Sequence, residues 1–162
     1  MAEDIIPVEV KGTVAEDIIP VEVKGIYMVG TATGHTPVVL LTADGHRFLP
    51  IYIGISEALS INAALNGEVP SRPMTHDLII SILDNVNAKI TEVIIDEVEN
   101  GIYYATLSIQ VNGSETQLDA RPSDCIALAV RSNIDILIKE SILNEGTITK
   151  DDINAKEMEF FF

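Results

Sequence analysis

Two stretches of this chain fix where helices begin: Arg72-Pro-Met-Thr-His-Asp77 and Asp119-Ala-Arg-Pro-Ser-Asp124. Each sets an Arg-Pro pair and acidic residues ahead of an apolar run. Leu78-Ile-Ile-Ser-Ile-Leu83 follows the first, and Ile126-Ala-Leu-Ala-Val130 follows the second. Proline is favoured in the first helical turn, where its missing N–H breaks no helical hydrogen bond. Carboxylates in that turn face the positive end of the helix dipole. If the two starts converge, they form one polar site on an otherwise apolar protein.

The strand signals arrange themselves around these helices. Val21 to Val29, Pro37 to Thr42 and Arg47 to Ile53 read as strands, with Asp44-Gly45 as a hairpin turn. Ser56 is placed to cap a helix ending near Asn66, with Gly67 as its stop, and Thr75 to cap a second helix reaching about Asn87. On that second helix Ile79, Ile82, Leu83 and Val86 recur at helical spacing. Lys89 to Val98, Tyr103 to Val111 and Thr116 to Ala120 are the next strands, separated by Asn100-Gly101 and Asn112-Gly113. A helix from Pro122 to Ser132 follows, then a short strand, Ile136 to Lys139, and a helix from Glu140 to Leu143. The expected fold is α+β: a curved, largely antiparallel sheet with packed helices, in a pseudo-duplicated β3α layout. That layout makes Glu57 and Asp124 equivalent, each after a serine at a helix start.

A chain of 162 residues, 47% apolar, can bury a real core. No apolar run approaches the ~18–20 residues of a membrane span, and the acidic N-terminus lacks a signal-peptide layout, so a cytoplasmic location is expected. The single cysteine, Cys125, excludes an intrachain disulfide and a cysteine-based zinc site, and reads as a packing residue. The net charge of −15 weighs against nucleic-acid binding, which usually recruits Lys and Arg to replace counterions. Ten basic residues form no stripe. Phosphate contacts would therefore fall to a few arginines, chiefly Arg72, Arg121, Arg131 and Arg47.

The N-terminus holds an identical repeat: Ala2 to Gly12 recurs as Ala15 to Gly25. The second copy runs straight into Ile26-Tyr-Met-Val29 and so belongs to the domain. The expected division is a duplicated extension over residues 1–14, a domain over 15–143 and a tail over 144–162. The tail is polar until Met158-Glu-Phe-Phe-Phe162, an aromatic end that suits packing on its own or a neighbouring subunit.

Several motifs occur in one order: Leu49-Pro-Ile-Tyr-Ile-Gly54 with Glu57, Arg72-Pro-Met-Thr-His-Asp-Leu78, Tyr104-Ala-Thr-Leu107, and Asp119-Ala-Arg-Pro-Ser-Asp-Cys-Ile-Ala-Leu-Ala129. With them, the stretch from about Val21 to Leu143 resembles the bifunctional nuclease domain of small prokaryotic proteins and plant relatives. The resemblance implies cleavage of both DNA and RNA, with nucleic acid as partner. Hard oxygen donors at Glu57, Asp119 and Asp124 would suit Mg²⁺ or Mn²⁺. His76, Asp77, Asp119 and Asp124 are the catalytic candidates; Arg72, Arg121 and Ser123 are the substrate-binding ones.

Each candidate also has a plain structural reading. First-turn acids act as caps, and His76 can serve as a hydrogen-bonded structural histidine. Arg121 can pair internally, with Asp77 or Asp119. His35 and His46 match no motif. The rival to a nuclease is a non-catalytic oligomeric module that binds a small anionic ligand or protein partner at the Arg-Pro helix starts. A homo-oligomer is expected on either reading, because the helices carry apolar residues on more than one face.

Overall fold

The computed structural model describes residues 16–155 and the backbone of residues 159–160. The first repeat copy and the aromatic residues at the very end of the chain lie outside the described residues. The chain forms a nine-stranded sheet in the order β6-β5-β4-β7-β1-β2-β3-β8, with β9 also paired to β1. β1 (Ile18–Thr31), β2 (Gly34–Thr42) and β3 (Arg47–Tyr52) make one antiparallel meander. β4 (Ala88–Glu99), β5 (Ile102–Val111) and β6 (Ser114–Ala120) make another. β7 (Ile136–Lys139) joins them, antiparallel to β1 and parallel to β4. The sheet is thus largely antiparallel, as expected for α+β.

Local chemistry explains the second meander. Asn100-Gly101 and Asn112-Gly113 both take positive φ, at 51° and 77°, and 51° and 79°. Two successive left-handed residues suit a tight hairpin whose twist matches its strands. Both meanders are followed by a helix, α1 (Ile55–Leu65) in the first half and α3 (Pro122–Ser132) in the second. The first half alone adds α2 (Thr75–Asn85), so only element order carries the pseudo-duplicated reading. α4 (Glu140–Gly146) packs against β3, β4 and β7. β8 (Ile148–Thr149), α5 (Lys150–Ala155) and β9 (Glu159–Phe160) come from the segment read as a tail; β8 and β9 pair with β3 and β1.

α3 is the central helix. Arg121 precedes it as N-cap with Pro122 in the first turn, and Asn133 ends it in the left-handed conformation. Cys125, Ile126, Ala127, Leu128 and Ala129 are all buried, so the helix is apolar nearly all round. One side meets α1 and α2, and the other meets β4, β5 and β7. Each fully buried Ile or Leu here contributes about 1.5–3 kcal/mol relative to exposure. Among the described residues no helix is long and apolar enough to cross a membrane.

Two local expectations are corrected. Ser56 and Thr75 are not the caps: α1 begins after Gly54 and α2 after Met74, and at α2 it is the Asp77 side chain that accepts from the Met74 backbone N–H. On α2, Ile82 and Val86 are exposed at 53% and 54%; the packed face is His76, Ile79, Ile80 and Leu83. α2 rests on α3 and β4 along this narrower stripe because α3 leaves it only one side to cover.

Candidate functional site

Three helices bring polar side chains to one place. Glu57 and Ser60 lie one helical turn apart on α1, His76 and Asp77 open α2, and Asp124 sits in the first turn of α3. Together with Ser56, Met74, Thr75, Ile79 and Arg121, the side chains of Glu57, Ser60, His76 and Asp124 line a pocket of about 340 Å³. The two Arg-Pro segments thus converge, through His76 rather than Arg72.

A continuous chain of hydrogen bonds joins Asp77 and Arg131 to Ser60, His76 and Asp124 of the pocket. Arg131 Nε donates to Asp77 Oδ1 at 2.8 Å, and its Nη2 donates to Ser60 Oγ at 3.0 Å. Its Nη1 donates to the Ala127 carbonyl at 3.1 Å. Ser60 Oγ lies 2.6 Å from His76 Nδ1, and His76 Nε2 lies 2.9 Å from Asp124 Oδ1. Arg131 can only donate, so Ser60 Oγ accepts from it and keeps its own proton and a second lone pair for His76 Nδ1. The Asp124 carboxylate can only accept, so His76 Nε2 donates to it. Both ring nitrogens are engaged, and His76 is buried.

Arg121 closes the network at the pocket mouth. Its Nε and Nη2 donate to Asp124 Oδ2 and Oδ1 at 2.8 and 3.0 Å, and its Nη1 lies 3.0 Å from Glu57 Oε1. The guanidinium has five N–H donors. Three are used here, so two remain on a side chain that is 63% exposed. The expected internal partners of Arg121, Asp77 and Asp119, are replaced by Asp124 and Glu57: Asp77 belongs to Arg131, and Asp119 lines a separate groove with Asp96.

The charges settle accordingly. Arg131's hydrogen bond, with one from the Met74 backbone N–H, holds Asp77 below the ordinary carboxylate value. Asp77 therefore does serve as a cap, its Oδ2 accepting from Met74 N at 2.9 Å. Burial works to raise the Asp124 pKa, but the hydrogen bonds from Arg121 and His76 outweigh it and the net shift is downward. The same Asp124 bonds, and Glu57, keep Arg121 more firmly charged than usual. Burial, with the charges of Asp124, Asp96 and Asp119, pushes the Cys125 thiol up to about 12, so it is a packing residue rather than a nucleophile.

Other candidates fall elsewhere. Arg72 is exposed, and among the described residues no carboxylate lies within ion-pair distance of it. Ser123 is buried and lines a neighbouring groove. Glu57, Asp119 and Asp124 do not gather: Asp119 is in the other groove, and Arg121 bridges Glu57 and Asp124. Among the described residues no group of three or more His, Cys, Asp or Glu side chains could hold a metal ion. The slot between the two carboxylates already has its cation, so this donor set does not fit a resident metal.

Sequence reasoning misses Ser60 and takes Arg131 only as a phosphate contact. Ser60 lies among the small residues Ala58, Ala63 and Ala64, which signal close packing. Its spacing of three from Glu57 puts both on one helical face and is the one signal that marks it.

Comparison with known proteins bears on the same residues. The family model for the bifunctional nuclease domain matches residues 38–151, which include the whole pocket. An uncharacterized protein of Mycobacterium tuberculosis is 38% identical over 122 residues, 75% of this chain and 73% of its own length. Bifunctional nuclease 1 of Oryza sativa subsp. japonica is 28% identical over 112 residues, 67% of this chain but 34% of the plant protein.

Proposed function

The chain belongs to the bifunctional nuclease domain family, and on that premise we propose that it hydrolyses phosphodiester bonds of DNA and RNA at the pocket between α1, α2 and α3. The observation that carries this reading is Arg121. It stands at the pocket mouth, oriented by two carboxylates, with two N–H groups left for the oxygens of a phosphate. Guanidinium binds phosphate through paired hydrogen bonds. Here it would also meet the charge that builds on those oxygens during attack.

Within this reading Glu57 is the base. Its Oε1 faces Arg121, and among the described residues its Oε2 accepts no hydrogen bond from the protein. Glu57 Oε2 takes a proton from a water molecule as that water's oxygen bonds to phosphorus. The bond from phosphorus to the leaving sugar oxygen breaks, and that oxygen takes up a proton from solvent water, while Glu57 returns its own to solvent. Asp124, His76, Ser60 and Arg131 hold Arg121 in place rather than touching substrate. In this reading the Mg²⁺ or Mn²⁺ expected from the sequence would arrive with the nucleic-acid phosphates.

The test is cleavage of single- and double-stranded DNA and RNA by the purified chain, with Mg²⁺, with Mn²⁺ and with chelator. Activity should fall at least a hundredfold in Arg121→Ala and in Glu57→Gln. A wild-type protein inert under all three conditions would end the proposal. Phosphate binding by such an inert protein, lost in Arg121→Ala, would favour the non-catalytic module, which the net charge of −15 suits better.

Self-association belongs to the same reading. Leu78, Ile82 and Val86 are each more than half exposed and lie one helical turn apart along α2. Exposed apolar patches of this kind mark contact surfaces. Light scattering should give an oligomer that Ile82→Glu dissociates; a wild-type monomer at all concentrations would remove this part.

A further inference from the structure

We propose that the groove on the far side of Arg121 from His76 is a nucleobase subsite, which stacks the base of a nucleotide whose phosphate meets Arg121 and so selects single-stranded over duplex nucleic acid. The groove holds about 420 Å³ and is walled by Tyr52, Ile102 and Tyr103, with Ser123 also on its lining. Arg121 lines this groove and the polar pocket alike, so the two are continuous across one side chain. Three elements build it: the end of β3, the turn between β4 and β5, and the start of α3.

Its walls leave apolar surface open to solvent. Tyr52 is 56% exposed and Ile102 58%, so nothing described in the chain covers them. Tyr103 is half-buried, and burial raises the pKa of its hydroxyl. An aromatic ring and a branched aliphatic chain offer flat apolar surface of the kind a base covers whatever its sequence.

The charge balance gives the groove its importance. Proteins that hold single strands usually combine a basic channel with aromatic platforms. This chain has 25 acidic and 10 basic residues, and Arg121 is already paired twice. Counterion release therefore supplies little affinity, and stacking is left as the larger contribution. A base inside a duplex presents only its edges and cannot enter. The subsite rests on the phosphodiester reading, because it places the base by the phosphate.

The experiment uses a short single-stranded oligonucleotide with one 2-aminopurine, whose emission falls when it stacks. Titration with the full chain should quench it saturably. The apparent Kd should rise about five- to a hundredfold in Tyr52→Ala, the range for loss of one base–aromatic stack. It should return in Tyr52→Phe and change only weakly with salt. Ile102→Ala, in the same groove, should weaken it too, and the same probe in a duplex should not be quenched. Equal quenching in the wild type, Tyr52→Ala and Ile102→Ala overturns the subsite, as does no quenching at all. A change of mass in Tyr52→Ala with quenching intact also overturns it, by showing a contact between copies. Quenching needs no cleavage: cleavage without Tyr52-dependent quenching removes the subsite alone, and Tyr52-dependent quenching without cleavage removes hydrolysis alone.

Discussion

His76 of α2 and Asp124 of α3, 48 residues apart in the chain, meet at 2.9 Å, and Ser60 and Arg121 of the same pocket hydrogen-bond to that pair. Asp124 is held by His76 from within and by Arg121 from outside. The two contacts are therefore not independent. In a double-mutant cycle with His76→Ala and Arg121→Ala, the losses in activity should be non-additive by about 0.5–3 kcal/mol. Additive losses would separate His76 from the placement of Arg121.

Arg131 is the structural counterpart of Arg121. Its side chain is 9% exposed and serves Asp77, Ser60 and the Ala127 carbonyl at once. Arg131→Ala would take one partner from Asp77 and one from the buried Ser60 hydroxyl, which keep the Met74 N–H and His76 Nδ1, and should cost about 1–3 kcal/mol in urea unfolding. Arg131→Lys should recover little, since an ammonium cannot reproduce the planar fork. A lysine variant as stable as wild type would contradict this.

Acid should loosen the same region. Asp77 and Asp124 both have folded-state pKa values below the ordinary carboxylate value. Their contribution is then fully present above about pH 4, the unfolded value, and is lost as pH falls through the lower folded values. Stability measured from pH 6 down to pH 2 should drop in that window. The drop should be shallower in Asp77→Asn; an identical profile would show that Asp77 contributes nothing.

Gly54 precedes α1, and a Cβ there would collide with the Glu57 carboxylate. Its backbone is ordinary, with φ −77°, so the constraint is space and not conformation. Gly54→Ala should keep the fold and melting temperature nearly unchanged while activity falls at least tenfold, because Glu57 must swing off Arg121. Full activity in a folded Gly54→Ala protein would place Glu57 outside the reaction.

Much of this architecture is legible in the amino-acid sequence. The Asn-Gly turns and the alternating strands define the second meander, and the Arg-Pro starts locate α2 and α3. The neighbours of β7 are not legible, because a parallel pairing with β4 is set by the crossover and not by any local signal. At the site, helix starts identify His76 and Asp124. The choice of partners for Arg121 depends on how the chain turns after β6, which spacing does not encode. Asp119 is still in β6, where its pairing with Thr106 sets it in the groove of Asp96, and Glu57, from another helix, completes the ion pair. Ser60 stays hidden because a serine inside a helix carries no sign of what it meets across the core.

β1 has one more consequence. Its first half, Ile18 to Val21, pairs with β7, and Glu22 to Gly25 begins the ladder with β2. All of these residues belong to the second repeat copy, and the same letters stand 13 positions earlier in the chain. The folding chain therefore meets two indistinguishable candidates for one seat, and the difference between them appears only downstream. Behind the second copy come Ile26 and Val29, which enter the core; behind the first come Thr13 and Val14. A chain that seats the first copy forfeits those buried side chains and their ladder with β2, so the wrong choice is a detour and not a rival native state. Refolding of the whole chain should show a slow phase that deletion of residues 2–14 abolishes, with the melting temperature barely moved.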